Sequence, residues 1–227
     1  SARGLTYISL SRQAVDYTQR DCLIESIRQT KASFLINCAG YTGKPNVDAC
    51  ERNQADCFSA NVILPQTIDA ACGITWGHVS SGCIYSGTRQ DENPFDEGDR
   101  PNFSFDCPPC SYYSGTKALA EQKLSASDRV YLWRPRMPFN HQASERNLLV
   151  KLQRYAKLLD ATNSLSHLNE FVRACVEGYL RQIPLGIYNV VNSGAISTRE
   201  IIDVVQHYFP RAAPFQFFTS ENEFMDQ

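Results

Sequence analysis

The stretch "ASFLINCAG", residues 32 to 40, is an apolar run that closes on Asn37, two small residues and Gly40. A run this short and this apolar reads as a strand buried on both faces. Just before it, "DCLIESIRQT" (21–30) carries helical spacing, and before that "LTYISL" (5–10) is β-rich. The opening forty residues therefore read strand, helix, buried strand. Further on, "NVDACERNQADCFSANVILPQTIDAAC" (46–72) predicts a long helix, and "ITWGHVSSGCIYSG" (74–87) another buried strand running into a polar turn. Parallel strands need crossover connections, so this alternation predicts an α/β fold with a parallel sheet flanked by helices.

"TRQDENPFDEGDRPNFSFDCPPC" (88–110) is dense in Pro, Asp and Gly and has neither period, which marks a long loop of the kind that often carries function. "YYSGTKALAEQKLSA" follows as a helix, and "RVYLWRPRMPF" (129–139) as a strand cut short by Pro135 and Pro138. Beyond lie the expected helices "ERNLLVKLQRYAKLL" and "LNEFVRACVEGYL", the strand "GIYNVV" (186–191), and a last helix with Ser197 at its cap and Glu200 three residues on, a capping box.

The chain of 227 residues, 43% apolar, suffices for one globular domain or a domain with a small appendage. Its apolar runs fall far short of the roughly 20 residues that cross a bilayer, and no basic-then-apolar leader opens it, so a soluble, cytoplasmic protein is expected. Nine cysteines, an odd number, fit reduced core thiols better than a disulfide framework. Cys107-Pro108-Pro109-Cys110 has Cys-x-x-Cys spacing but no accompanying pair of ligands, so it reads as a Pro-rich loop and no metal is expected. A net charge of −2 leaves no basic field for a polyphosphate backbone, and nucleic acid is not an expected partner.

In "CSYYSGTKALAEQ" (110–122), Tyr113 stands four places ahead of Lys117, and the segment closes on Glu121. Residues four apart on a helix share one face about 6 Å along its axis. A nearby ammonium would lower a phenol pKa and make Tyr113 a proton donor and acceptor. The same spacing also occurs on ordinary helix surfaces. Ser81, in "VSSGCIYSG" at the end of a buried strand, could share a carbonyl oxygen with Tyr113, because ligands in such folds sit beyond the carboxyl ends of strands.

Together these segments resemble the extended short-chain dehydrogenase/reductase family of nucleotide-sugar epimerases, dehydratases and reductases. "LINCAGYT" resembles its Asn-Ala-Ala-Gly segment, Asn61 its helix asparagine, "PFDEGDRPNF" its Pro-x-x-Glu-x-Asp-x-Pro loop and "YYSGTKALAE" its Tyr-x-x-x-Lys helix. The resemblance implies a Rossmann-like NAD(P)-binding domain over residues 1–138 and a smaller substrate-binding part over 139–227, with strand 186–191 returning to the sheet. It implies a catalytic Ser81, Tyr113 and Lys117, and NADP or NAD as cofactor.

Where 4,6-dehydratases carry Thr-Asp-Glu, this chain has Ser81-Gly82-Cys83, which disfavours dehydration. Cys83 resembles the basic cysteine of GDP-fucose synthases and of plant rhamnose-forming 3,5-epimerase/4-reductases; a small core thiol is the alternative. "WRPRMPF" and "ERNLLVKLQRY" resemble further segments of the plant enzymes, and by that likeness Lys151 is the acid paired with Cys83. On a helical wheel Lys151 falls within an apolar arc of Leu148, Leu152, Tyr155, Leu158 and Leu159; a snorkelling side chain is the alternative.

By the same resemblance the cofactor would meet Arg12, Asp16, Tyr17, Asn37, Cys38, Ala39, Gly40, Tyr113, Lys117, Arg136, Met137 and Pro138. Arg12 would approach an adenosine phosphate and favour NADPH, or be a free surface arginine. The substrate would meet Ser81, Gly82, Cys83, Tyr113, Arg146 and Asn147.

The family's Gly-x-x-Gly-x-x-Gly turn does not occur among these residues, and the chain reads as opening at the family's second strand, the leading βα unit having been left off. The expectation is an NAD(P)H-dependent reductase of the C4 ketone of a nucleotide-linked 4-keto-6-deoxy sugar, of the dTDP-4-dehydrorhamnose reductase type, with 3,5-epimerase activity as a possible addition and a homodimer as its assembly. The alternatives are a nucleotide-sugar 4-epimerase with bound NAD and a non-catalytic subunit on the same fold.

Overall fold

A computed structural model describes residues 5–91, 93–210 and 214–218. Its strands are β1 (Phe34–Asn37), β2 (Thr75–Val79), β3 (Val130–Arg134), β4 (Pro138–Phe139), β5 (Lys157–Leu159), β6 (Thr162–Asn163), β7 (Ser166–His167), β8 (Gly186–Asn189), β9 (Ile196–Ser197) and β10 (Gln216–Phe218). The α-helices are α1 (Arg20–Thr30), α2 (Ala49–Arg52), α3 (Gln54–Phe58), α4 (Leu64–Ala71), α5 (Tyr112–Leu124), α6 (Leu148–Arg154), α7 (Leu168–Leu180) and α8 (Thr198–Tyr208). Two compact units result. One holds the chain up to Trp133 with Pro184–Tyr188, the other Arg134–Ile183 with the chain from Asn189 onward.

In the first unit a sheet runs in the order β1-β2-β3-β8, and β2 pairs parallel with both β1 and β3. The pairing sets Asn37 opposite His78 and Val79 opposite Trp133, so the carboxyl ends of the three strands share one edge. The core lies between this sheet and α1, α4 and α5, where Leu23, Leu64, Ile68, Trp76, Leu124, Val130 and Leu132 meet. A glycine is required at Gly77, because a Cβ there would come within 2.1 Å of the Trp133 ring from the neighbouring strand.

Residues 5–10, expected as a strand, run without ladder partners among the described residues and leave Tyr7 and Ile8 exposed. Suitability for a pleated surface does not by itself supply a neighbouring strand. The expected helix over 46–72 begins only at Ala49 and is not continuous. It breaks at Asn53 (φ −119°, ψ 51°), resumes as α3, widens into a π-helical turn over Ser59–Ile63 and only then enters α4, whose first turn holds Pro65. Wide turns of this kind cluster at functional sites.

The second unit packs Leu148, Leu152, Leu158, Ile201, Ile202 and Val205 into its own core. The helix expected through Leu159 stops at Arg154. Tyr155 is extended, and residues 157–159 form β5, paired parallel with β10. The ladder and the burial of Leu158 outweigh the helical pattern. The capping box at α8 is present: the Ser197 hydroxyl accepts from Glu200 N at 3.1 Å, and the Glu200 carboxylate accepts from Ser197 N at 2.8 Å. Among the described residues no helix is long and apolar enough to cross a membrane.

Candidate active site

The site is built where β2 ends. After Val79 the chain passes through Ser80 and Ser81 into a single 3-10 turn over Gly82–Ile84, and the Ser81 hydroxyl caps that turn by accepting from Cys83 N at 3.1 Å. This fixes Ser81 at the sheet edge, almost fully buried. Helix α5 begins at a second serine cap, Ser111, which accepts from Ser114 N. Nearly every side of α5 is buried, so Tyr113 and Lys117 lie inside the unit rather than on a helix surface.

The Lys117 ammonium stands 6.0 Å from the centre of the Tyr113 ring and donates to the Val79 carbonyl at 3.2 Å. The Ser81 hydroxyl lies beside the Tyr113 phenol, and Cys83, half-buried, packs in the apolar cluster around the same ring with the buried Cys50 and Cys57. The structure thus brings Ser81, Cys83, Tyr113 and Lys117 together from two separate segments.

The electrostatics differ from the expected lowering of the phenol. Burial pushes Tyr113 well above the usual phenol range, the neighbouring Cys83 thiol adds to the rise, and the Ser81 hydroxyl opposes it. Desolvation disfavours the phenolate by more than an ammonium 6.0 Å from the ring relieves. Lys117 moves the other way: burial lowers it to about 8, and the Glu121 carboxylate works against that fall.

A second ring of buried polar groups holds these residues. On the π-helical turn, the Asn61 amide donates to the Tyr41 carbonyl at 2.9 Å and to Thr116 Oγ1 at 3.2 Å, and its oxygen accepts from Tyr41 N at 2.8 Å. Thr116 in turn donates to the Tyr113 carbonyl at 2.8 Å. His78, fully buried on β2, meets the Asn37 amide through Nδ1 at 3.0 Å, while its Nε2 has no partner among the described residues. Burial, reinforced by the Lys117 charge, keeps this imidazole neutral.

Of the residues expected to meet a cofactor, Asn37 is buried, bonded to His78, and accepts from Ala39 N at 3.0 Å. Cys38 is exposed at the strand end, and Ala39 packs on the core. Gly40 lies where a Cβ would come within 3.0 Å of Asn61 Oδ1 and 3.5 Å of Lys117 Nζ. The backbone at Gly40 is thus held close to Asn61 and to the Lys117 ammonium. Arg12 is exposed beside Asp16, whose carboxylate is held low mainly by the Thr18 hydroxyl; Tyr17 leans on the sheet core.

The remaining expected residues belong to the second unit. Arg136 donates through Nε to Asn163 Oδ1 at 2.8 Å and through its backbone to Ser166 Oγ. Met137 holds a left-handed backbone (φ 42°), and Pro138 starts β4. The Asn147 amide is committed to local structure: its oxygen caps α6 at Leu149 N, and its nitrogen donates to the Asn140 and Gln142 carbonyls. Arg146 is exposed, and Lys151 is half-buried on α6. Among the described residues no cluster of three or more His, Cys, Asp or Glu is placed to hold a metal.

Thr116, Ser80 and His78 were not singled out by sequence reading. Thr116 had a signal, since it lies three residues past Tyr113 on the same helix face. His78 had none, for its place follows from strand register alone.

Comparison with known proteins gives the family and the fold. The RmlD substrate binding domain family matches residues 1–211. The bifunctional dTDP-4-dehydrorhamnose 3,5-epimerase/dTDP-4-dehydrorhamnose reductase of Arabidopsis thaliana is 33% identical over 98% of this chain and 73% of its own length. The crystal structure of a UDP-rhamnose synthase from Acanthamoeba polyphaga mimivirus superposes with a TM-score of 0.83 at 21% identity, covering 96% of this chain and 77% of that one. A dTDP-4-dehydrorhamnose reductase from Bacillus anthracis, solved in complex with NADP, gives a TM-score of 0.70 at 17% identity over 93% and 75%. With the family model spanning residues 1–211 and a relative 33% identical over 98% of the chain, the chain belongs to the RmlD substrate binding domain family.

Proposed function

We propose that this protein reduces the C4 ketone of a nucleotide-linked 4-keto-6-deoxy sugar with NADPH or NADH. The observation that carries the reading is a buried, protonated Tyr113 beside Ser81 and 6.0 Å, ring centre to ammonium, from Lys117. Reduction of a ketone needs a proton donor at the oxygen, and a phenol whose burial holds its proton is a donor at neutral pH. Ser81 would orient the carbonyl oxygen. As Tyr113 gives up its proton, the Lys117 ammonium would stabilise the phenolate left in a low-dielectric site.

The residues that would hold the dinucleotide are Lys117 and Tyr113, with Asn37, Cys38, Ala39 and Gly40 at the end of β1. When bound, a reduced nicotinamide supplies the hydride that reaches C4. The sugar reductases among the relatives support this choice, as does the fold neighbour solved with NADP.

The half-buried Cys83 beside Tyr113 favours an added activity, proton removal next to the C4 ketone, with Lys151 as the matching acid. In solution we expect a cytoplasmic homodimer joined through the helical segments 46–72 and 112–126, a reading supported by Ile63, 48% exposed on the π-helical turn.

The test is direct. Full-length protein should oxidise NADPH or NADH only when a 4-keto-6-deoxy sugar nucleotide is added, and the product should be the 6-deoxy sugar nucleotide. Absence of oxidation with every such substrate would overturn the proposal.

A further inference from the structure

Glu121 lies in the last turn of α5, the helix that carries Tyr113 and Lys117, yet nothing in the chemistry above uses it. A carboxylate only 4% exposed is costly unless donors or cations compensate its lost hydration. It lies one helical turn beyond Lys117, on the same face. Ser80, itself 3% exposed at the end of β2, donates its hydroxyl to Glu121 Oε1.

The two contacts form a pattern. Val79 and Ser80 are consecutive residues at the carboxyl end of β2; the first accepts from the Lys117 ammonium at 3.2 Å, and the second grips Glu121. The strand end therefore holds α5 at two points one helical turn apart, one through a cation and one through an anion. Around the ammonium, the other titratable groups are Tyr113 on α5 itself, Cys57 on α3, Cys83 on the 3-10 turn and the neutral His78 on β2. Among the groups that oppose the loss of charge on Lys117, the Glu121 carboxyl acts most strongly, ahead of Cys57 and Cys83. Burial lowers the Lys117 pKa, and a discharged lysine could not support a phenolate.

We infer that Glu121, gripped by Ser80, is a positioning residue that keeps the Lys117 ammonium charged and aimed at the strand end beside Tyr113. Its purpose rests on the function proposed above, but its electrostatic content is measurable without turnover.

The experiment is an NMR titration of the full-length protein with 13C,15N-labelled lysine, without cofactor or substrate, the Lys117 signal being assigned by its loss in Lys117→Met. Removing the carboxylate in Glu121→Gln should lower the Lys117 midpoint by about one pH unit, a roughly tenfold change in its protonation equilibrium. Glu121→Asp should restore part of the difference. Ser80→Ala, which keeps both charges and loosens the grip, should shift the midpoint the same way by a smaller amount, and it decides the matter if Glu121→Gln does not fold. In kcat/KM profiles the alkaline limb should move down in step with the midpoint.

A residue that served only packing would lower Tm and leave the midpoint in place. An unmoved midpoint in the folded variants, with reductase activity intact, overturns the inference and leaves the function standing. A moved midpoint in a protein that reduces no 4-keto sugar nucleotide does the reverse.

Discussion

The Ser81 hydroxyl lies beside the Tyr113 phenol although thirty-two positions separate them, because Ser81 caps the turn that follows a central strand and Tyr113 stands in the first turn of the helix packed beside it. Each residue is fixed by its own serine-capped element: Ser81 caps the turn after β2, and Ser111 caps α5. The site is therefore preorganised by local hydrogen bonds, and its chemistry follows from what burial does to the groups it encloses.

Cys83 separates reduction from epimerisation. If its thiol removes protons beside the ketone, product made in deuterated water should carry deuterium at C3 or C5 in wild type and lose it in Cys83→Ser, while C4 reduction of an already epimerised substrate continues. Equal incorporation in both proteins, read by mass spectrometry and NMR, would return Cys83 to the core.

His78 ties folding to acid. Its imidazole is neutral in the folded protein because burial and the Lys117 charge disfavour a second cation, whereas the unfolded chain binds a proton below about pH 6.5. Its folded pKa lies below its unfolded one, so the unfolded state binds more protons in acid, and stability falls as pH drops below about 6.5. One such group costs about 2 kcal/mol between pH 7 and pH 5. His78→Asn should flatten that part of the pH dependence, as followed by urea melts at each pH; an unchanged slope would mean the histidine is protonated when folded.

How much of this could be read from residues alone differs by kind. The β-α-β order was legible because "FLIN" and "TWGHV" are apolar runs closed by small residues, and that pattern survives any tertiary context. The pairing of Tyr113 with Lys117 was legible from helical spacing. The direction of the Tyr113 shift was not, since spacing reports a neighbour and cannot report how far water is excluded. Residues 155–159 misled for a related reason: Leu158 and Leu159 continue a helical arc, but the partner strand 216–218 lies more than fifty residues away. The π-helical turn that seats Asn61 leaves no periodic mark in a sequence.

Gly77 tests the packing of the sheet. A methyl group there meets the Trp133 ring, held between Phe34 and Tyr131, so the ring has little room to retreat. Gly77→Ala should cost about 1–3 kcal/mol, the usual penalty of overpacking, with a change in tryptophan fluorescence. A melt indistinguishable from wild type would show that Trp133 can move.

The most direct test of the whole account is Tyr113→Phe, which removes one oxygen and leaves the ring and its packing. Initial rates of NADPH oxidation with a 4-keto-6-deoxy sugar nucleotide should fall by roughly 10²–10⁴-fold, with Tm close to that of wild type. Turnover within a few-fold of wild type in a folded Tyr113→Phe protein would contradict the assignment of this phenol as the proton donor.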